Sequence, residues 1–267
     1  MQTSRHIFLG LAGLGLLLVV SCRPQTPPPK QTVVIVHGAW GGGWAFRQVE
    51  DLLRAKGYRV YRPTLTGQGE RVHLANEQIG LETHIQDIVN VILFEDLRDI
   101  VLIGHSYGGM VITGVADRVP ERIGRLIYLD AVLPEDGENL LDHPAFQANK
   151  NQLLAGARDG FIVPVWVPQD KTPPKDVPHP LKTLTDKIVL NNPKRLQIPA
   201  DYILTVDPGT AEQLDLFYPF AQRAAGYQWP LHTLEADHNP QRSKPKELAE
   251  LFDQIIRSRP LRPRRPS

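Results

Sequence analysis

The run Ile100-Val101-Leu102-Ile103 leads directly into Gly104-His105-Ser106-Tyr107-Gly108-Gly109. A buried strand that must turn into a helix within a few residues leaves little room for side chains at the corner, and glycines on both sides of a central serine meet that constraint. The pattern predicts strand, sharp turn and helix, with the Ser106 hydroxyl presented at the helix N-terminus from a strained backbone. A bare Gly-x-Ser-x-Gly is common. One flanked by the required elements and reinforced by an extra glycine is specific, and a plain glycine-rich turn explains it less well.

The rest of the chain fits a sheet that such a turn can leave. Short runs rich in Val and Ile alternate with longer segments of helical period, the mark of a parallel sheet covered by helices. Strands are predicted at Thr32 to Val36, Arg59 to Pro63, Asp99 to Ile103, Arg125 to Leu129, Asp201 to Val206 and Gln228 to Leu234. Helices are predicted at Phe46 to Lys56, Leu81 to Glu95, Met110 to Arg118, Thr210 to Ala224 and Pro245 to Arg257. The expected fold is α/β, a mostly parallel sheet of about six strands with helices on both faces. One interval breaks the rhythm. The segment from about 135 to 198, after the strand ending near residue 129, is expected to form a cap over the sheet, and its eight prolines argue against long helices through its middle.

The N-terminus reads differently. Arg5 and His6 precede the apolar run Ile7 to Val20, which ends in Ser21-Cys22. That layout predicts an export signal over residues 1–21, whose fourteen-residue apolar run is too short for an ordinary membrane span of about 20. A small residue followed by the chain's single cysteine resembles the lipobox of bacterial lipoproteins, which implies lipidation at Cys22 and a protein held in the bacterial cell envelope through that lipid. Residues 22–31, with four prolines, suit an extended tether to a domain over 32–258. Arginines spaced by prolines fill the tail, 259–267, and read as a solvated segment. One cysteine excludes a disulfide scaffold, and a formal net charge of +1 argues against a nucleic-acid partner.

Serine chemistry needs a base. His238 is the candidate, because it follows the last predicted strand in a loop before the final helix. His37 and His105 belong to glycine motifs, His143 and His179 to the cap, and His73 and His84 are weaker candidates for the site lining or a helix cap. The orienting carboxylate is assigned to Asp207, just past the strand Asp201 to Val206 and followed by Pro208-Gly209. Asp130, at the end of the strand after the elbow helix, is the alternative acid. Asp237 adjoins His238, where neighbouring side chains point apart. An oxyanion hole requires backbone N–H groups, one expected from Tyr107 and the other from Ala39 or, alternatively, Trp40 in His37-Gly38-Ala39-Trp40-Gly41-Gly42-Gly43-Trp44. No Gly-Lys-Ser/Thr follows that run, so a phosphate loop is disfavoured. Trp40, Trp44, Phe161, Trp166 and Tyr107 are candidates for an apolar pocket.

From Thr32 to Arg257 the chain resembles an α/β-hydrolase of the esterase branch that includes plant methyl-ester esterases and hydroxynitrile lyases. The stretches that carry the resemblance are His37 to Trp40, Thr64-Leu65-Thr66-Gly67-Gln68-Gly69-Glu70-Arg71, Gly104 to Gly109, Thr205-Val206-Asp207 and Ala236-Asp237-His238. The resemblance implies a triad of Ser106, Asp207 and His238 in chain order, an oxyanion hole at Ala39 and Tyr107, no metal or organic cofactor, and a small-molecule ester as substrate. The lyases of this branch carry threonine and lysine where this chain has Gly38 and Asn239. Ester hydrolysis is therefore expected over cyanohydrin cleavage, with a lyase or a non-catalytic ligand-binding protein of the same fold as the alternatives.

Overall fold

A computed structural model describes residues 31–258. The expected signal segment, Cys22, most of the tether and the basic tail lie outside the described residues. Six strands form one parallel sheet: β1 (Thr32–Val36), β2 (Arg59–Tyr61), β3 (Ile100–His105), β4 (Ile123–Leu129), β8 (Ala200–Val206) and β9 (Leu231–Glu235), in the order β2-β1-β3-β4-β8-β9. The central strands β3, β4 and β8 are buried throughout, as their unbroken apolar runs require, while edge strand β9 alternates exposed and half-buried residues.

The period of two along each strand divides the core. Val33, Ile35, Val101, Ile103, Ile127 and Ile203 face one side, where α1 (Arg47–Ala55) and α8 (Pro245–Ser258) pack. Val34, Val36, Leu102, Tyr128 and Tyr202 face the other, covered by α2 (Leu81–Phe94), α3 (Gly108–Arg118) and α6 (Tyr218–Gly226). The chain runs from β1 outward to β2 and then crosses back to β3 on β1's other side. That reversal opens a crevice beyond the C-terminal ends of β1 and β3, the place where open α/β sheets bind ligands.

One expectation needs correction. The helix expected from Thr210 begins only at Tyr218, because the Asp215 side chain accepts the Phe217 N–H at 2.7 Å and closes a local turn there. Between β4 and β8 the chain forms α4 (Gln147–Ala155), a small antiparallel sheet of β5 (Ala157–Arg158), β6 (Phe161–Ile162) and β7 (His179–Pro180), and the single turn α5 (Lys182–Thr185). Strands of two residues carry too little alternation to be read from sequence. The short α7 (Pro240–Ser243) leads into α8.

Candidate active site

Ser106 sits on the corner between β3 and α3 with φ of +56°, a left-handed conformation rare for a residue with a side chain. The glycines around it are there for space. A Cβ on Gly104 would lie 2.6 Å from the Gly108 carbonyl oxygen, and one on Gly109 only 1.9 Å from that of Val132. The turn is tied to the next strand, since the Ser106 N–H donates to the Leu129 carbonyl at 3.2 Å and its own carbonyl accepts from Val132 at 3.1 Å.

His238 reaches the serine from the loop after β9, its Nε2 lying 3.0 Å from Ser106 Oγ. Its Nδ1 lies 2.5 Å from Oδ2 of Asp130, a fully buried carboxylate whose other oxygen accepts the Thr205 N–H at 3.1 Å. A carboxylate only accepts, so Nδ1 carries the proton and Nε2 is left as the acceptor for the serine hydroxyl.

The acid touching His238 is therefore Asp130, and the assignment to Asp207 is corrected. Register supplies the reason. His105 and Leu129 are paired across β3 and β4, so the next residues, Ser106 and Asp130, emerge side by side. Asp207 follows β8, one strand further out, and lies exposed on a turn whose Thr210 N–H donates to its carbonyl at 2.9 Å.

The imidazole of His238 packs against two other rings. Phe217 stacks on it at 4.7 Å with the rings 7° from parallel, and His105 lies against it at 4.8 Å. His105 also donates its Nε2–H to the His238 carbonyl at 2.7 Å. Burial, reinforced by the neighbouring His238, holds His105 well below the usual histidine range, so it stays neutral beside the base.

The glycine loop after β1 runs against the serine: a Cβ on Gly38 would meet Ser106 Cβ at 2.9 Å. The backbone N–H groups of Ala39 and Tyr107 have no protein acceptor among the described residues. The Trp40 N–H, the alternative oxyanion donor, is engaged instead, donating to Nδ1 of His179 at 3.2 Å. Such a constellation can activate a hydroxyl and stabilise an adjacent oxyanion.

The sequence from residue 33 to 251 matches the family model described as the alpha/beta hydrolase family. The chain belongs to the alpha/beta hydrolase family. Within it, a stretch of 108 residues, 40% of this chain and 45% of the relative, is 56% identical to a carbendazim hydrolyzing esterase of Nocardioides sp. strain SG-4G, so that match spans less than half of the relative's length. A pyrethroid hydrolase of Sphingobium wenxiniae is 27% identical over 257 residues, 82% of this chain and 85% of its own. Among solved structures, an extracellular alpha/beta-hydrolase from a Paenibacillus species, described as sharing structural and functional homology with tobacco Salicylic Acid Binding Protein 2, superposes with a TM-score of 0.70. It is 26% identical and covers 85% of this chain and 99% of its own.

Further histidines of the chain are structural parts of the site. His37 accepts the Leu65 N–H on Nε2 at 3.1 Å and donates from Nδ1 to the Gly38 carbonyl at 2.7 Å, fixing the loop, and burial pulls its pKa down to about 4. His84 donates from Nε2 to the Thr66 carbonyl, so its Nδ1 accepts the Tyr107 hydroxyl at 2.9 Å. Burial brings His84 to about 4 as well. His73 is exposed, and Tyr107 is buried rather than lining a pocket. Trp40 and Trp166 pack edge to face at 5.1 Å, with Trp166 half open to solvent. The sequence reading passes over Phe217 and sets His105 and His179 aside as members of the glycine motif and the cap. His105 at least lies beside the serine in sequence, whereas nothing in the cap's irregular composition marks His179.

Proposed function

We propose that this chain is a serine carboxylic-ester hydrolase acting on small or medium apolar esters through an acyl-serine intermediate. The observation that carries the reading is the continuous relay from Ser106 Oγ through His238 to the buried Asp130, beside two unengaged N–H groups. In the first half-reaction Ser106 Oγ bonds to the ester carbonyl carbon while its proton passes to His238 Nε2. The carbonyl oxygen becomes an oxyanion facing the Ala39 and Tyr107 N–H groups. Collapse breaks the bond to the alcohol oxygen, which takes the proton from Nε2 and leaves. Water then repeats the sequence on the acyl-serine, releasing the acid and restoring the hydroxyl. Asp130 keeps the imidazole in the working tautomer and stabilises its charged form.

The relatives named for ester and pyrethroid hydrolysis support this class of reaction, and the Phe217 ring stacked on His238, with Trp40 next to the candidate oxyanion donor Ala39, supports an apolar substrate. Two features speak against a lyase. Position 38 has no room for a threonine, since even a Cβ there meets Ser106 Cβ at 2.9 Å, and the position after His238 is Asn239, with no ammonium to receive a departing cyanide. The same proposal includes export and anchoring through a lipid on Cys22. Incorporation of labelled palmitate by the wild type and its loss in Cys22→Ser is the expected result, and an unmodified N-terminus beyond Cys22 would end that part of the reading. The catalytic part is tested with p-nitrophenyl esters of increasing acyl length. Turnover that depends on Ser106 is expected, while mandelonitrile is expected to release no cyanide above background.

A further inference from the structure

Trp40 stands next to the candidate oxyanion donor Ala39 in a conformation it would not adopt unaided, with φ of +63°. A bulky residue in that region is held by its surroundings. Here the surroundings are the cap. The Trp40 N–H donates to His179 Nδ1 at 3.2 Å, its indole N–H donates to the Ile162 carbonyl at 3.0 Å, and its carbonyl accepts the Val177 N–H at 2.8 Å. All three polar groups of this residue are thus engaged by residues 162–179.

His179 is the side chain at the junction. It is fully buried, its Nε2 lies 2.7 Å from Thr183 Oγ1, and its ring packs edge to face on Tyr107, the other oxyanion residue, at 5.1 Å. Its Nδ1 faces two groups with opposite demands: the Trp40 N–H, and Oε1 of Gln68 at 2.9 Å. The Gln68 amide is oriented by its Nε2, which donates to the Gly67 and Pro178 carbonyls. With the proton on Nε2, His179 donates to Thr183, Thr183 donates to the Pro180 carbonyl at 2.8 Å, and the Trp40 N–H is satisfied. With the proton on Nδ1, Gln68 gains a partner but the Trp40 N–H is orphaned. Buried N–H groups without acceptors are rarer than under-satisfied carbonyls, which favours the Nε2–H form, at the cost of setting Gln68 Oε1 against the Nδ1 lone pair. Burial and the nearby imidazoles of His84 and His37 hold His179 well below the usual range, which keeps it neutral.

We propose that His179 is a positioning residue for the oxyanion hole: by accepting the Trp40 N–H it fixes the 38–40 loop, leaving the Ala39 N–H free to meet the carbonyl oxygen of the substrate. The inference rests on the ester-hydrolase reading and adds that the cap, not only the sheet, assembles the reaction centre. A positioning role has a kinetic signature. An oxyanion donor acts on the charged transition state, so disturbing it lowers kcat and the affinity for transition-state analogues together while leaving substrate capture nearly unchanged.

The test compares wild type with His179→Phe, which keeps a planar ring and removes both nitrogens, in the full-length chain. For p-nitrophenyl acetate, kcat is expected to fall roughly 10–100-fold with KM changed less than about threefold. The affinity of an aryl trifluoromethyl ketone, which adds Ser106 as a hemiketal oxyanion, is expected to fall by the same factor. A kcat within about twofold of wild type, or a loss of kcat with ketone affinity untouched, overturns the proposal. Because a buried substitution can compromise folding, the wild type supplies a second measurement. Nitrogen NMR of 15N-histidine-labelled protein is expected to show His179 protonated on Nε2 alone, and protonation on Nδ1 overturns the assignment. Failure of the underlying reading is separate: wild type would then neither turn over esters nor bind the ketone.

Discussion

The ends of the strands and the cap hold one reaction centre by different means. At the strand ends, Ser106 and Asp130 leave β3 and β4 from paired register positions, and the backbone around them is packed to contact: a Cβ on Gly108 would lie 2.6 Å from the Val36 carbonyl oxygen. In the cap, two-residue strands and side-chain hydrogen bonds join buried residues such as Leu141, Phe146, Leu184 and Ile188 in holding the segment to the body. The hydrogen bonds include Gln68 to the Pro178 carbonyl at 3.2 Å, the Asn192 N–H to Asp117 at 2.7 Å and the Leu81 N–H to Asp186 at 3.1 Å. Val165 and Trp166 remain largely exposed on it. The sheet thus fixes the atoms of the proposed proton relay, where a misplacement of about 1 Å can cost two orders of magnitude in rate. The cap supplies groups that orient a loop.

The comparison is easiest to break at the sheet. Ser106→Ala is expected to lower kcat about a millionfold, the scale on which a serine nucleophile counts. Asp130→Asn is expected to lower kcat about ten-thousandfold by favouring the wrong imidazole tautomer, whereas Asp207→Asn is expected to stay within about twofold. Steady-state kinetics on one ester decides between them, and a reversed ranking would mean that the register of β3 and β4 does not select the acid.

That ranking also marks where the sequence stops being legible. The elbow could be read because Gly104, Gly108 and Gly109 answer a local steric demand, and the central strands because Val and Ile runs have no other buried use in so short a span. His238 could be read from its place between the last strand and the last helix. The preference for Asp207 over Asp130 is the reading that fails, since both follow a strand and both satisfy the chain order. What separates them is spatial: β4 lies beside β3, and β8 lies one strand further. The cap was legible as an interruption, but His179 was not. Its partners Trp40, Gln68 and Thr183 come from three separate segments, and no periodicity links them.

The buried histidines make stability depend on pH. His37 and His84 have pKa values near 4 in the folded chain against an ordinary 6.5, so the unfolded chain binds more protons between those values and stability rises with pH. Their contribution is complete above about pH 6.5 and is lost as pH falls toward 4. Between pH 6.5 and 5 the loss is about 2 kcal/mol for each, measurable as a falling urea midpoint. A midpoint that does not move over that range would mean that these imidazoles protonate freely. The smallest effect contrasts two glycines. Gly109→Ala, whose Cβ would stand 1.9 Å from the Val132 carbonyl oxygen, is expected to destabilise by about 2–3 kcal/mol. Gly156→Ala at the end of α4, where a Cβ meets only ordinary contacts of 3.4 and 3.6 Å and φ is −82°, is expected to change stability by less than about 0.5 kcal/mol. Equal losses in urea unfolding would erase the distinction between tight strand ends and a looser cap.

In the proposed mechanism Ser106 is a nucleophile activated by His238. Fluorophosphonate labelling followed by peptide mapping tests it most directly. One adduct on Ser106 in the wild type is the predicted result, absent from Ser106→Ala and formed orders of magnitude more slowly in His238→Ala. An adduct on another residue, with ester turnover intact in Ser106→Ala, would contradict it.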